Sequence, residues 1–355
     1  CWTSRVPQER GHKMREEVEL IESIVPDLID VLRKRFIILR NIDWSEPVGR
    51  RVLAQTLGMS ERVLRTETDY LRKQELIVST KSGMILTAKG KRTIQGLSKL
   101  MDSLLGLQQM EKELSRYLGI RNCLIVSGDS DRQPLIIEDM GKLVNDILGK
   151  ELPKGKNVIA AMGGTTMAKV ATCLTPEIAV DRDLTFVPAR GGIGERLDIQ
   201  ANNVCGLMAE KTGGNHRTLY VPEQVSEDTY RPLLNEPVVQ EVVNLIRQSN
   251  AAVHSIGEAI SMAERRSMPK NVVAMLKERK AVSETFGYFF DDKGKVVYKI
   301  PRIGLQLEDL ANMDCIIAVA GGSSKARAIA AYMKNAPEKT YLITDEGAAK
   351  MILKG

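Results

Sequence analysis

Apolar residues recur at helical spacing over residues 16–40, at Val18, Ile21, Ile24, Val25, Leu28, Ile29, Leu32, Phe36 and Leu39. The pattern predicts two helices broken at Pro26-Asp27, the second opening with acidic residues and closing on Arg33-Lys34-Arg35 as the helix dipole prefers. Residues 47–65 read as a helix-turn-helix: small Ala54 where two helices cross, Gly58 four residues on in the turn, and Leu64 six beyond that facing the core. Ser60 is placed to cap the second helix. With Val63, Leu64, Tyr70 and Leu71 inward, Ser60, Glu61, Arg62, Arg65, Thr66 and Asp69 face outward. Apolar runs at 76–80 and 84–87 around Lys81-Ser82-Gly83 predict a β-hairpin with a basic tip. Helix-turn-helix plus hairpin predicts a winged helix over 14–87. Over 88–118, Ile94, Leu97, Met101 and Leu104 lie three, four and three apart, near a coiled-coil seam. This linker is expected to pair subunits, the alternative being that it packs on its own winged domain. Residues 1–13 have no periodicity and are expected to be a disordered tail, with Met14 as a start.

Beyond Gly119 the pattern changes to short apolar runs alternating with helical segments. Strands are expected at 123–126, 158–162, 184–187, 218–221, 251–256, 315–320 and 340–343, with helices at 134–148, 166–174, 200–211 and 237–248. Residues 286–299 read as a hairpin around Asp291-Asp292-Lys293-Gly294. Alternation of this kind predicts, over 119–355, an α/β domain with a doubly wound parallel sheet, binding its ligand at the carboxyl ends of the strands.

Two strand ends have the same design. In Val158-Ile159-Ala160-Ala161-Met162 an apolar run meets Gly163-Gly164, and Thr165 or Thr166 can cap the following helix, whose free N–H groups and positive dipole end suit an anion. Residues 316–325 repeat it, with Gly321-Gly322-Ser323-Ser324 and then Lys325 in the first helical turn. The third strand runs into Arg190-Gly191-Gly192, a guanidinium fork beside flexible backbone. Gln200 opens a helix ten residues on. Arg265, Arg266 and Glu284 are polar groups that spacing alone does not place.

Composition narrows the class. The chain has 355 residues, 43% hydrophobic and 27% charged, as in an ordinary globular protein of two domains. No apolar run approaches the roughly 18 residues of a membrane span, and the expected location is the cytoplasm. Five cysteines without a C-x-x-C pair, and three histidines, argue against a disulfide framework or a metal site. The net charge of +6 is concentrated over residues 33–92, which points to nucleic acid. Arg50 and Arg51 ahead of the turn and Lys81 at the hairpin tip extend that candidate DNA face.

From about Met14 the chain resembles the central glycolytic genes regulators of Gram-positive bacteria, SorC/DeoR-type transcriptional repressors. The resemblance rests on SERVLR in the second helix of the helix-turn-helix and on VSGDSD, GGTT, VPARGG, QAN, MAERR, TFGY, VAGGSSKA and TDEGAAK in the α/β part. It implies an effector domain resembling the sugar-phosphate isomerase and deaminase fold, turned from catalysis to sensing, with fructose 1,6-bisphosphate as ligand and no other cofactor. Carried over by motif, the ligand contacts are Gly163, Gly164, Thr165, Thr166, Arg190, Gln200, Arg265, Arg266, Glu284 and Lys325. Double-stranded operator DNA is the expected partner, bound by a homodimer that assembles to a tetramer. No catalytic residues are expected. The alternative is a sugar-phosphate isomerase or deaminase with a DNA-binding appendage: Ile256-Gly257-Glu258 lacks the aspartate and histidine that follow this loop in the deaminases, although Glu258 remains available as a base.

Overall fold

The computed structural model describes residues 24–104, 106–191, 196–222 and 226–355. The expected tail, Met14 and the first expected helix lie outside these residues. The chain forms two compact units that divide between Gln109 and Met110.

The first unit opens with α1 (Pro26–Ser45). Pro26 stands in the first turn, where a missing N–H removes no helical bond, and Asp27 favours the positive end of the dipole. The helix does not stop at Arg35. Phe36, Ile38, Leu39 and Ile42 are buried in one core, and their burial extends it ten residues further. Arg33-Lys34-Arg35 therefore sit within the helix; Arg35 donates to Glu67 at 2.9 Å and lies 3.6 Å over the Tyr70 ring.

Next come α2 (Arg50–Leu57) and α3 (Glu61–Lys73). Gly58, at φ 62°, reverses the chain between them and its N–H returns to Ala54 O and Gln55 O. Ala54 and Leu64 are buried as the spacing predicts. Ser60 caps α3 by accepting from Val63 N–H, and the helix carries Glu61 in its first turn and Arg72 and Lys73 in its last. Its inward stripe is Leu64, Thr68 and Leu71, with Thr68 donating to Leu64 O. Val63 and Tyr70 are exposed, contrary to expectation, because each stands about 100° round the helix from that stripe. The strands β1 (Ile77–Thr80) and β2 (Gly83–Leu86) pair antiparallel, and Thr80 Oγ1 donates to Gly83 O across the Lys81-Ser82 tip.

In place of one long linking helix there are two, α4 (Ala88–Leu104) and α5 (Leu107–Leu118), flanking Gly106 at φ 69°. The alternative to the subunit seam is what the packing shows. Ile94 and Met101 are buried in the first unit's own core, with half-buried Leu97 packed against it. The side chain of Leu104 lies outside the described residues.

The second unit runs β3 (Asn122–Val126), α6 (Ile136–Glu151), β4 (Gly155–Ala161), α7 (Thr165–Thr172), β5 (Arg182–Pro188), α8 (Ala201–Thr212), β6 (Asn215–His216), α9 (Glu227–Asn235), α10 (Pro237–Arg247) and β7 (Ala251–Ser255). An excursion follows, comprising β8 (Gly257–Glu258), α11 (Ala259–Arg265), α12 (Lys270–Glu278), β9 (Ala281–Thr285), β10 (Tyr288–Asp291) and β11 (Val296–Lys299). The chain returns through β12 (Cys315–Val319), α13 (Ala326–Met333), β13 (Tyr341–Asp345) and α14 (Glu346–Lys354).

Among the described residues, seven of these strands form a parallel sheet in the order β3-β13-β12-β7-β4-β5-β6. β12 is buried throughout, as a strand covered on both faces requires. The expected hairpin is present as β10 and β11, but it belongs to a second, antiparallel sheet ordered β11-β10-β9-β8. No strand forms over 218–221. The edge pairing ends at His216, and Asn202 takes the backbone of Leu219 instead, accepting its N–H at 2.9 Å.

The packing of α4 gives a direct test. Met101→Ala should destabilise the first unit by about 2–5 kcal/mol in urea unfolding, the usual cost of truncating a buried methionine, with no change of sedimentation coefficient. Unchanged stability combined with a halved mass would return this helix to the role of a subunit seam.

Candidate functional site

Strand β4 ends at Ala161, and Gly163-Gly164 carry the chain over its tip. A Cβ on Gly163 would stand 2.4 Å from Ile199 O and 2.8 Å from Ala201 N, so only glycine fits between this turn and the start of α8. Gly164, at φ 113°, is the capping residue of α7 and donates to Ile199 O at 2.7 Å. Neither threonine caps the helix. Thr165 and Thr166 are its first two residues, so their N–H groups are among those a helix leaves without an internal partner.

A cavity of about 250 Å³ opens over this helix start. Of the ten residues carried over by resemblance, nine line it: Gly163, Gly164, Thr165 and Thr166 from one strand tip, Arg190 from just beyond β5, Arg265, Arg266 and Glu284 from the excursion, and Lys325 from the second glycine loop. Gln200 does not line it. It is the capping residue of α8, and its backbone packs on Gly163. Gly192 lies outside the described residues.

Spacing did not place Arg265, Arg266 and Glu284 because they reach the site through the small sheet. β9 pairs with β8, which directly follows the β7 tip, so Glu284 is carried opposite Gly257. Its side chain is almost wholly buried, accepts from Gly287 N–H at 2.7 Å, and forms an ion pair with equally buried Arg266 at 3.2 Å. Burial alone would raise the Glu284 pKa. The positive charges of Arg266 and Arg190, together with the Gly287 N–H, outweigh it and hold the carboxyl below its ordinary value. Lys325 is held below its ordinary value chiefly by burial, with Asp131 pulling the other way and Arg265 adding to the depression. Four cationic side chains and the start of α7 therefore face one small space.

The second glycine loop differs from its expected role. Ser324 N–H and Oγ donate to Asp131 at 2.7 and 3.0 Å, Ser323 N–H donates to Asp129 at 3.2 Å, and Gly322 N–H donates to Asp345 at 2.6 Å. Carboxylates occupy the cradle predicted for a phosphate. Only Ser324 and Lys325 of that loop line the cavity.

In the first unit Arg51, Arg62, Arg65 and Lys81 are exposed on α2, α3 and the hairpin tip, and Arg50 is half-buried. Arg51 and Arg65 lie 4.0 Å from Glu61 and Asp69, contacts too loose and exposed to hold them. The Ser60 and Thr66 hydroxyls are engaged locally, Ser60 as the cap and Thr66 on Arg62 O.

Residues 102–354 match the family model of a sugar-binding domain, and residues 31–101 match that of the CggR N-terminal DNA binding domain. The chain is 45% identical to the central glycolytic genes regulator of Bacillus subtilis and 43% identical to that of Priestia megaterium, in each case over 96% of this chain and 99% of the relative. The chain belongs to this regulator family. Its fold also matches a solved SorC family transcriptional regulator from Enterococcus faecalis, with a TM-score of 0.66 and 56% identity, covering 69% of this chain and 99% of that one. The full-length sorbitol operon regulator SorC of Klebsiella pneumoniae matches 90% of this chain and 97% of its own at a TM-score of 0.63; at 13% identity the likeness is one of fold.

The chain is thus a transcriptional regulator with a DNA-binding and a sugar-binding domain, and not an enzyme. Glu258, the base left to the enzyme alternative, and the neighbouring His254 are both engaged. Glu258 caps α11, accepting from Ile260 N–H at 3.2 Å and Ser261 N–H at 2.7 Å. His254 is fully buried, bonded to Thr285 and Ser255, and burial lowers its pKa to about 4, which keeps it neutral. Sequence reasoning missed Met162, Ser261 and Met262 in the cavity wall. Only the glycines hint at Met262, since a Cβ on Gly257 would stand 2.4 Å from its Cγ.

Glu284→Gln should destabilise the regulator by about 3–5 kcal/mol, because it leaves buried guanidinium charge without its carboxylate. The folded-state pKa is depressed, so this carboxylate's contribution is complete above its ordinary value of 4.5 and is lost as pH falls below it. Acid unfolding of the variant should be less steep in that range. Equal stability and equal acid slopes in the two proteins would show that the ion pair is immaterial.

Proposed function

We propose that the regulator is a repressor that binds double-stranded operator DNA through a winged helix-turn-helix and is modulated by fructose 1,6-bisphosphate, without a metal or other cofactor. The observation that carries the ligand reading is the concentration of charge in the cavity. Lys325, Arg190, Arg265 and Arg266 line it against two carboxylates, one of which, Glu258, is committed to capping a helix. A doubly phosphorylated sugar suits that surplus, with one phosphate at the Thr165-Thr166 helix start and the other among the basic side chains. With the Ser323-Ser324 cradle filled by Asp131, Lys325 contributes its ammonium group rather than a second helix start. The parallel sheet with its ligand at the strand tips supports descent from a sugar-phosphate isomerase or deaminase fold, by analogy of fold alone.

For DNA, α3 is the recognition helix and the β1–β2 hairpin is the wing. Arg62 and Arg65 face outward and are free to reach base edges, while Arg51 and Lys81 are placed for phosphates. One such domain gathers few contacts, so the regulator binds as a homodimer assembling to a tetramer. Fructose 1,6-bisphosphate acts by preferring the arrangement that fits the operator poorly, since a ligand that bound both arrangements equally would shift nothing.

Three outcomes check this reading. Operator affinity should fall as fructose 1,6-bisphosphate is added, with sedimentation reporting the assembly; a flat titration would sink the ligand assignment. Lys325→Ala should weaken the bisphosphate about ten- to a hundred-fold, for the loss of one charge-assisted contact of about 1.5–3 kcal/mol, while leaving ligand-free operator binding intact. In the DNA domain, Arg62→Ala or Arg65→Ala should cost about 1–3 kcal/mol of operator binding if the residue reads a base, and wild-type affinity in both variants would contradict the face.

A further inference from the structure

Arg302 belongs to no motif, and it stands outside the lining of the cavity. It is 3% exposed. Its Nη2 donates to Leu305 O at 2.8 Å, while among the described residues Nε and Nη1 meet no acceptor. The side chain crosses Gly287, where a Cβ would stand 2.8 Å from Nε. Gly287 gives its N–H to Glu284. On the other side, the segment that carries Arg302 is strapped to the tip of β5: Gly304 bridges Arg190, Leu305 N–H donates to Ala189 O at 2.8 Å, and Gly191 N–H donates to Ile303 O at 3.2 Å. Arg302 thus joins the backbone that carries Arg190 to the turn that fixes Glu284.

Among the described residues no carboxylate stands within ion-pair distance of Arg302. Glu284, which attracts it at longer range, already faces Arg266 at 3.2 Å. A buried charge is costly unless something compensates it. Burial first, then the like charge of Arg190, lowers the Arg302 pKa to about 9 against the pull of Glu284, which leaves it charged at neutral pH. An anion in the adjoining cavity would supply the missing compensation.

We propose that Arg302 is a positioning residue for anion binding, holding Arg190 and Glu284 in place from outside the cavity and adding the positive charge that a bound phosphate compensates. The inference deepens the reading above and depends on it only for the identity of the ligand.

The test measures thermal unfolding in rising inorganic phosphate and calorimetric titration with fructose 1,6-bisphosphate, on the full chain and on Arg302→Met and Arg302→Gln. Methionine fills the volume and glutamine keeps a donor for Leu305 O; both remove the charge. Each variant should bind the bisphosphate at least about tenfold more weakly and lose most of the phosphate-induced rise in midpoint. Without anion, its midpoint should stay at or above that of the wild type, because a buried like charge has gone. Variants that keep the full phosphate response overturn the proposal, whatever their midpoint, since a packing role alone would lower stability and leave that response intact. If one variant folds, it decides by the same readout; if neither does, the role is structural and the proposal fails. A wild type that responds to phosphate but shows no affinity for fructose 1,6-bisphosphate rejects the ligand identity and leaves Arg302 to be judged on phosphate alone. Indifference to both anions rejects the two together.

Discussion

The buried carboxylate of Glu284 is the contact on which the cavity of the sugar-binding domain depends. It pairs with Arg266, accepts from Gly287, and stands within electrostatic reach of Arg190 and Arg302. Those groups come from four separate stretches of chain, two of them in the small sheet or its helices and one at the tip of β5. Because β9 pairs with β8 directly after β7, Glu284 is held opposite Gly257, beside the tip of the large sheet. Burying so much charge is not a route to stability. What it provides is a cavity whose cationic side chains are held in place, an arrangement that would need little reorganisation on binding the anion proposed above.

The two glycine loops show how one local design reaches two ends. Both follow a buried strand and turn through a glycine at positive φ, Gly164 and Gly322. At the first, backbone of the 199–201 segment packs against the turn and the start of α7 opens to the cavity. At the second, Asp129, Asp131 and Asp345 converge on the turn and take its donors. The difference lies in the loop after β3, far away in sequence, so the repeat of Gly-Gly and hydroxyl residues could not reveal it. Lys325 lines the cavity all the same, although Asp131 and Asp345 attract it.

Much of this was legible from periodicity. Alternating strands and helices gave the parallel sheet, and with it the rim where Gly163, Arg190 and Lys325 meet, because everything that follows a parallel strand faces one edge. The Ala54, Gly58 and Leu64 spacing likewise placed α2 and α3. The errors have physical causes. Ile94 and Met101 are covered by the helix's own domain, which apolar spacing could not foretell, because it shows that a helix has a covered face but not what covers it. Arg265, Arg266 and Glu284 needed the resemblance, since pairing between β8 and β9 is not written in any local pattern. Arg302 escaped altogether, because a lone arginine after a hairpin looks like a solvated charge.

One cavity is proposed to hold a sugar carrying a phosphate at each end. Phosphorus NMR of fructose 1,6-bisphosphate titrated with the protein tests it most directly, since the two phosphates give separate signals. Both should shift or broaden with the same dissociation constant, and both responses should weaken in Lys325→Ala. A titration in which only one phosphorus signal responds would mean that the cavity grips a single phosphate, and would contradict the account.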